Sequence, residues 1–285
     1  MMIAGASRNP PEFPALHFRW LGVAGLEFTC AGETLAVDPF LTRPPFWRLW
    51  LGRVAPDHAL IARHLPRCDH ILVSHSHYDH LMDVPDIARN TGARVYGSTN
   101  TCGLLRACAV SDHQIREIHA GDNLTLGSFI VNVLAARHGW APGYSSGRVR
   151  SNLHPPLRLR DYVLGEYNSF LIQPPGLRLL DWCGVETQGA PKADVLFMLP
   201  TSVPGYCDAL LTSVQPRLVV PIHWDDLFHP LTKPIRPYYE LPHWALPPLK
   251  RIDLERFKET VQCIAPGTEV LVPEVLQPYD LGRVQ

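Results

Sequence analysis

The chain has 285 residues, with 26 Lys plus Arg against 27 Asp plus Glu, a formal charge of −1, and 46% hydrophobic residues. That length and apolar fraction fit a folded protein with a large core and exclude extended disorder. The charge balance argues against a protein that lives on nucleic acid, which needs a basic face, and no stretch approaches the ~20 apolar residues of a membrane-spanning helix.

Residues 1–14 contain one Arg and no apolar run, so they read as a flexible leader rather than a secretory signal. Leu16 to Phe28 reads as two strands turned at Gly22 and Gly25. Thr34 to Val37 adds a third strand ending at Asp38-Pro39, which makes the opening an antiparallel meander. Pro44 to Leu51 is a loop unusually rich in aromatic residues (Phe46, Trp47, Trp50). It either packs on its own domain or forms a lip facing substrate or lipid. His58 to Leu65 looks helical, and Ile71-Leu72-Val73 is a short buried strand. Val84 to Asn90 predicts a helix, Arg94 to Gly97 a strand, and Thr101 to Cys108 another helix, the rhythm of an α/β layer.

Asn123 to Ala135 gives two strands joined at Gly127. Residues 140–167 are irregular, with Pro142, Gly143, Gly147 and Pro155-Pro156, and loops of that length usually serve a function. Ser169 to Gln173 and Leu177 to Leu180 form a hairpin. Ala193 to Leu199 is a strand, Cys207 to Val214 a helix, Leu218 to Ile222 a strand, Leu254 to Cys263 a helix and Glu269 to Leu271 a last strand. No linker interrupts the middle, so residues 15–285 read as one layered unit with an insertion near 140–167. The seven cysteines are odd in number and scattered, without a C-x-x-C pair. Buried thiols in a reducing cytoplasm are expected, not a disulfide framework.

The chemistry concentrates at His75-x-His77-x-Asp79-His80, three imidazoles and a carboxylate within six residues, directly after a buried strand. Neutral imidazole is the commonest protein ligand of Zn²⁺, and Asp supplies an oxygen. In an extended segment His75 and His77 point the same way and can grip one ion. Asp79 and His80 can then turn toward a second. Further ligands must come from distant strand ends, and His138 and His223 each follow a strand.

The run Asp69-His70-Ile71-Leu72-Val73-Ser74-His75-Ser76-His77-Tyr78-Asp79-His80 resembles the signature of the metallo-β-lactamase-fold hydrolases. Trp20 to Phe28 resembles that superfamily's opening strand pair, and Leu35 to Pro39 its next strand. Ala136-Arg137-His138 and Val220 to Trp224 are similar to its later histidine segments. The wording is nearest the branch that holds ascorbate-6-phosphate lactonase-like proteins and the phospholipase D acting on N-acyl phosphatidylethanolamine. The resemblance covers residues 18 to about 225 and implies an α/β fold, a four-layer αββα sandwich. It implies that His75, His77 and His138 hold one metal, and Asp79, His80 and His223 a second. Asp38 would lie beneath the metals and accept a hydrogen bond from a ligand imidazole. The family's bridging Asp falls at Asp181, but Leu180 and Trp182 replace the usual Gly and Thr, and Cys183 or Glu186 are alternatives.

Two Zn²⁺ ions are therefore expected, with Mn²⁺ or Fe²⁺ as substitutes. The expected activity is hydrolysis of an ester, lactone or phosphodiester, with Asp79 both ligating and receiving a proton. A non-catalytic metal-binding scaffold and a di-iron redox protein of the same fold are the competing readings. Arg148, Arg150, Arg158 and Arg160 crowd the insertion, and Arg is the preferred partner of phosphate and carboxylate. With Trp47, Trp50, Tyr144 and Trp224 they suggest a small-molecule or lipid-like anionic substrate. Oligomeric state is left open, as the aromatic lip could equally be a dimer contact.

Overall fold

The computed structural model describes residues 14–139, 146–240 and 250–283. The expected leader (apart from Pro14) and Tyr144 lie outside these residues. Along Leu16–Gly22 (β1) burial begins by alternating, the period of a strand with one face in a core. It pairs antiparallel with Gly25–Cys30 (β2), which pairs antiparallel with Glu33–Val37 (β3). The chain then crosses over through Phe46–Leu51 (α1) and His58–His64 (α2) to His70–Leu72 (β4), parallel to β3. Two more crossovers carry Tyr78–Leu81 (α3), Val84–Thr91 (α4) and Thr99–Ala107 (α5), and add the parallel strands Arg94–Gly97 (β5) and Ile115–Glu117 (β6).

A second sheet repeats the plan. Asn123–Leu126 (β7), Phe129–Ala135 (β8), Asn168–Gln173 (β9) and Leu179–Trp182 (β10) pair antiparallel in sequence. Val195–Met198 (β11), Leu218–Pro221 (β12) and Glu269–Val270 (β13) continue it in parallel, with Tyr206–Val214 (α6) between β11 and β12 and Leu254–Ile264 (α7) before β13. The last strand, Pro278–Asp280 (β14), returns to pair with β1.

The two seven-stranded sheets pack face to face. Phe18 and Phe28 of the first meet Phe197 of the second at ring-centroid distances of 5.2 and 5.6 Å. Outside the first sheet, Ile61, Ile87 and Leu104 cover Ala36, Ile71 and Val95. Outside the second, Leu210, Leu211, Phe257 and Val261 cover Leu196, Met198 and Val219. This is the expected αββα sandwich. Burying large apolar side chains in three stacked interfaces supplies the main driving force for such a layering.

Four short elements differ from the sequence reading. Residues 46–51 are a helix rather than a loop, and the motif contains the one-turn helix α3. The strands β6 and β14 are three-residue edge strands, too short to show a period, and β14 begins with a proline of the kind edges tolerate. Among the described residues no helix is long and apolar enough to cross a membrane.

Candidate metal centre

Every residue of the His75–His80 motif lies beyond the C-terminal end of β4, where an open α/β layer presents its loops. Val73 still donates to Tyr96 O (2.9 Å), extending β4 by one rung. Ser74 then turns inward: its N–H donates to Asp38 Oδ1 (2.7 Å) and its hydroxyl to Asp38 Oδ2. Asp38 Oδ2 also accepts from His80 Nδ1 (2.7 Å), so one carboxylate ties the end of β3 to both ends of the motif. His77 is extended (φ −70°, ψ 157°) and starts α3. That single turn swings Asp79 and His80 away from the line of His75 and His77. His138 follows β8, and His223 follows β12 with a left-handed φ of 59°. Asp38 (φ 44°) and Val23 (φ 50°) share that conformation, which is costly for residues with a Cβ and concentrates at functional sites.

Two groups of donors result. One ligand atom from each of His75, His77 and His138 lies within 4.8 Å of the others, and the same holds for Asp79, His80 and His223. Asp79 Oδ2 is 3.6 Å from His80 Nε2 and 3.5 Å from His223 Nε2. The groups abut, since the rings of His75 and His80 stand 4.0 Å apart. Tyr167 packs its ring on His75 (4.6 Å) and His138 (5.7 Å), and a cavity of about 400 Å³ opens beside His138, Arg137, Glu166 and Tyr167.

Burial sets the charge states. It pushes His75 well below the usual imidazole range, with the neighbouring imidazoles adding to the effect, and it takes His77 down to about 3 and lowers His138. These imidazoles are therefore neutral and offer lone pairs, the form a metal requires. Burial pushes Asp79 upward, but His80 and His223 outweigh it and hold the carboxyl well below its usual range. Burial lowers His80, but Asp38 and Asp79 outweigh it and raise the imidazole. Asp181, buried at the end of β10, is pushed up to about 8 by burial and then by the charge of Asp38. Neutral imidazoles beside an ionised carboxylate, nearly dry and convergent, are a donor set that fits divalent cations.

Residues 34–159 match the family model of the beta-lactamase superfamily domain. The chain is 25% identical over 259 residues to a UPF0173 metal-dependent hydrolase of Pyrobaculum arsenaticum, covering 88% of this chain and 93% of that one. It is 28% identical over 155 residues to one from Methylocella silvestris, covering 54% of this chain and 56% of that relative. Its structure superposes on YhfI, a metallo-beta-lactamase fold protein of Bacillus subtilis, with a TM-score of 0.58 at 10% identity, over 93% and 99% of the two chains. The chain has the metallo-β-lactamase fold, and its residues 34–159 match the beta-lactamase superfamily domain.

Around this metallo-β-lactamase-fold site sits a support that the sequence reading missed. Arg43 and Asp225, both almost fully buried, form an ion pair (2.6 Å). Asp225 Oδ1 also accepts from Val23 N (2.9 Å), Arg43 Nη1 donates to Asp226 O (3.1 Å), and His223 N donates to Val23 O (2.8 Å). The loop carrying His223 is thus bolted to the β1–β2 turn and to the segment after β3. A Cβ on Gly22 would stand 2.0 Å from Arg43 Nη2, and its φ of +93° is left-handed, so only glycine fits that turn. The available signal was Asp225 two residues beyond His223.

The remaining sequence candidates scatter. Asp181 lies close enough to raise His80 electrostatically but belongs to neither compact donor group. Trp224 is a correction as a pocket residue. It is 6% exposed and stacks on Trp20 at 5.1 Å in the core between the sheets. Its large ring gains more from burial there than from lining a cleft. Trp47 and Trp50 stand out from α1, with Phe46 braced on Phe228. Arg148 and Arg150 line a separate concavity, away from the cavity at His138.

Proposed function

We propose that the chain is a metal-dependent hydrolase, with His75, His77 and His138 holding one divalent ion and Asp79, His80 and His223 the other. The observation that carries this reading is the abutment of two convergent donor groups inside one buried site. The named relatives, metal-dependent hydrolases by their descriptions, support the same class. Zinc is the first choice, because the set is mostly imidazole with one carboxylate.

When bound, such ions make water a competent nucleophile near neutral pH and polarise the oxygen of the bond to be cut, whether ester, lactone or phosphodiester. The protein's share is positional and protonic. Asp38 accepts the His80 Nδ1 proton, which would leave Nε2 to offer its lone pair to an ion. Asp79, ionised, presents Oδ2 toward the same side as His223 and is the proton acceptor for the attacking water. Asp181, pushed up to about 8 by its burial and by Asp38, would ionise beside a cation and is the residue proposed to serve both groups.

The test is elemental analysis of protein purified without added metal or chelator, beside Asp181→Ala and Asp79→Ala. About two ions per wild-type chain and about one in Asp181→Ala are expected. Asp79→Ala should lose at least about a hundredfold in turnover of an activated ester. One ion in both wild type and Asp181→Ala removes the bridged pair, and full turnover in metal-replete Asp79→Ala removes the proton role.

A further inference from the structure

The insertion after β8 builds a second concavity, about 190 Å³, lined by Arg148, Arg150 and Arg160. Among the described residues none of these three guanidinium groups forms an ion pair, whereas Arg19, Arg43, Arg89, Arg106 and Arg236 all do. One carboxylate, Asp161, shares the lining, and its Oδ2 accepts from Arg158 N (2.8 Å). Three like charges are thus gathered around a polar hollow with one negative group among them. Their mutual repulsion is relieved by an anion, and planar guanidinium forks match the oxygens of a phosphate.

The walls of the hollow are fixed from behind. Asn100, buried on α5, donates through Nδ2 to Gly147 O (2.8 Å) and Val163 O (3.0 Å) and accepts at Oδ1 from Val149 N (3.1 Å). One amide therefore clamps both sides of the insertion. Gly147 N donates to Leu164 O (3.0 Å), which closes them further. A Cβ on Gly165 would lie 2.7 Å from the Asn100 amide nitrogen, so the chain is drawn tight against the clamp. Finally Ser76, between His75 and His77, donates to Val163 O (2.6 Å), and Val163 lines the hollow. The arginine hollow is tied directly to the metal-ligand motif.

We infer that Arg148, Arg150 and Arg160 form a binding site for a phosphoryl-type anion, the phosphate group of the substrate, on the insertion that Ser76 ties to the metal-ligand motif. That the anion belongs to the substrate rests on the hydrolase reading. Anion binding itself does not. The clamped backbone holds the three arginines around one volume, so that binding has only their side chains to order.

The test uses inorganic phosphate and calorimetry on the full chain. Compared are wild type, the Arg148→Ala/Arg150→Ala/Arg160→Ala variant, and a His75→Ala/His223→Ala variant, with chelator-treated wild type beside it in case the histidine variant is poorly folded. Saturable binding that weakens with salt, persists without metal, and drops at least about tenfold in the arginine variant is expected. Asn100→Ala should weaken it in part. Binding that vanishes without metal yet survives in the arginine variant puts the anion on the ions and overturns the proposal. So does no saturable binding at millimolar phosphate. A pair of esters, with and without a phosphate group, completes the test. The phosphorylated one should show the lower KM, and the arginine variant should erase that difference. Equal KM values in wild type overturn the substrate assignment. Hydrolysis of neither ester, with arginine-dependent phosphate binding intact, sinks the hydrolase reading and leaves the anion site standing.

Discussion

Arg43 and Asp225 show how single residues hold this site without touching it. Each is buried; Asp225 also accepts from Val23 N, and Arg43 donates to the backbone of Asp226, just beyond His223. Removing one partner strands the other charge in a dry environment. Asp225→Ala should therefore cost about 3–5 kcal/mol in a denaturant titration, while Arg106→Ala, which breaks an ion pair with Asp112 that is exposed on both sides, should cost about 1 kcal/mol or less. Equal costs would contradict the support assigned to the buried pair. Asp83 gives a residue-scale prediction in pH. Its Oδ2 accepts from Leu41 N (2.6 Å) and Thr42 N (2.7 Å), and burial pushes the carboxyl up to about 6. An unfolded Asp titrates near ~3.9, so between the two values the folded chain binds the proton more tightly. The stability this group contributes is full below the lower value and is lost as pH rises through about 6. Asp83→Asn keeps a carbonyl acceptor and cannot ionise. Its stability relative to wild type should improve from pH 4 to pH 7, and a flat difference would remove the assignment. Of the site itself, the six donor residues could be named from the sequence because their spacing and strand-end positions are local properties. The Arg43–Asp225 pair could not, since its partners are distant in sequence and neither belongs to a motif.

At the scale of elements, legibility followed length. The strands β1 and β8 and the helices α4 and α7 show their period plainly. The turn α3 spans four residues, fewer than any period needs, and β6 and β14 borrow their strand conformation from a sheet edge. The helix α1 was legible as an aromatic segment but not as a helix, because Pro44-Pro45 precedes it and its apolar residues do not fall on one face. Phe46, Trp47, Trp50 and Leu51 are between 50% and 80% exposed, while Leu49 alone is buried. The helix therefore has one buried anchor, with Phe46 braced on Phe228 at its start. Trp47→Ala and Trp50→Ala should each change unfolding free energy by less than about 0.5 kcal/mol, as surface positions do, whereas Leu49→Ala should cost about 2–5 kcal/mol as a core truncation. Chemical denaturation of the three variants decides this, and a large loss for either tryptophan would mean that the face is packed in solution.

The whole molecule is two similar halves, each a sheet that begins antiparallel and ends parallel under its own helices. The sequence made both halves visible as strand runs followed by alternating elements. It did not say how they meet, because the Phe18–Phe28–Phe197 contact joins residues far apart in the chain. The halves also meet at the donor groups. His75 and His77 follow β4 of the first sheet, while His138 follows β8 of the second. Asp79 and His80 come from the first, and His223 from the second. Each proposed ion would therefore cross-link the two sheets, and its binding energy would be available only to the folded chain. At a free metal concentration a thousand times the dissociation constant, one such ion adds about 4 kcal/mol. Thermal unfolding should accordingly fall by several degrees on chelation and recover when metal is restored. The His75→Ala/His223→Ala variant, with a ligand missing from each group, should start lower and respond little to chelator. An unchanged melting temperature after chelation confirmed by elemental analysis would mean that the ions do not tie the halves together. A variant that still shifts like wild type would place the stabilising metal elsewhere.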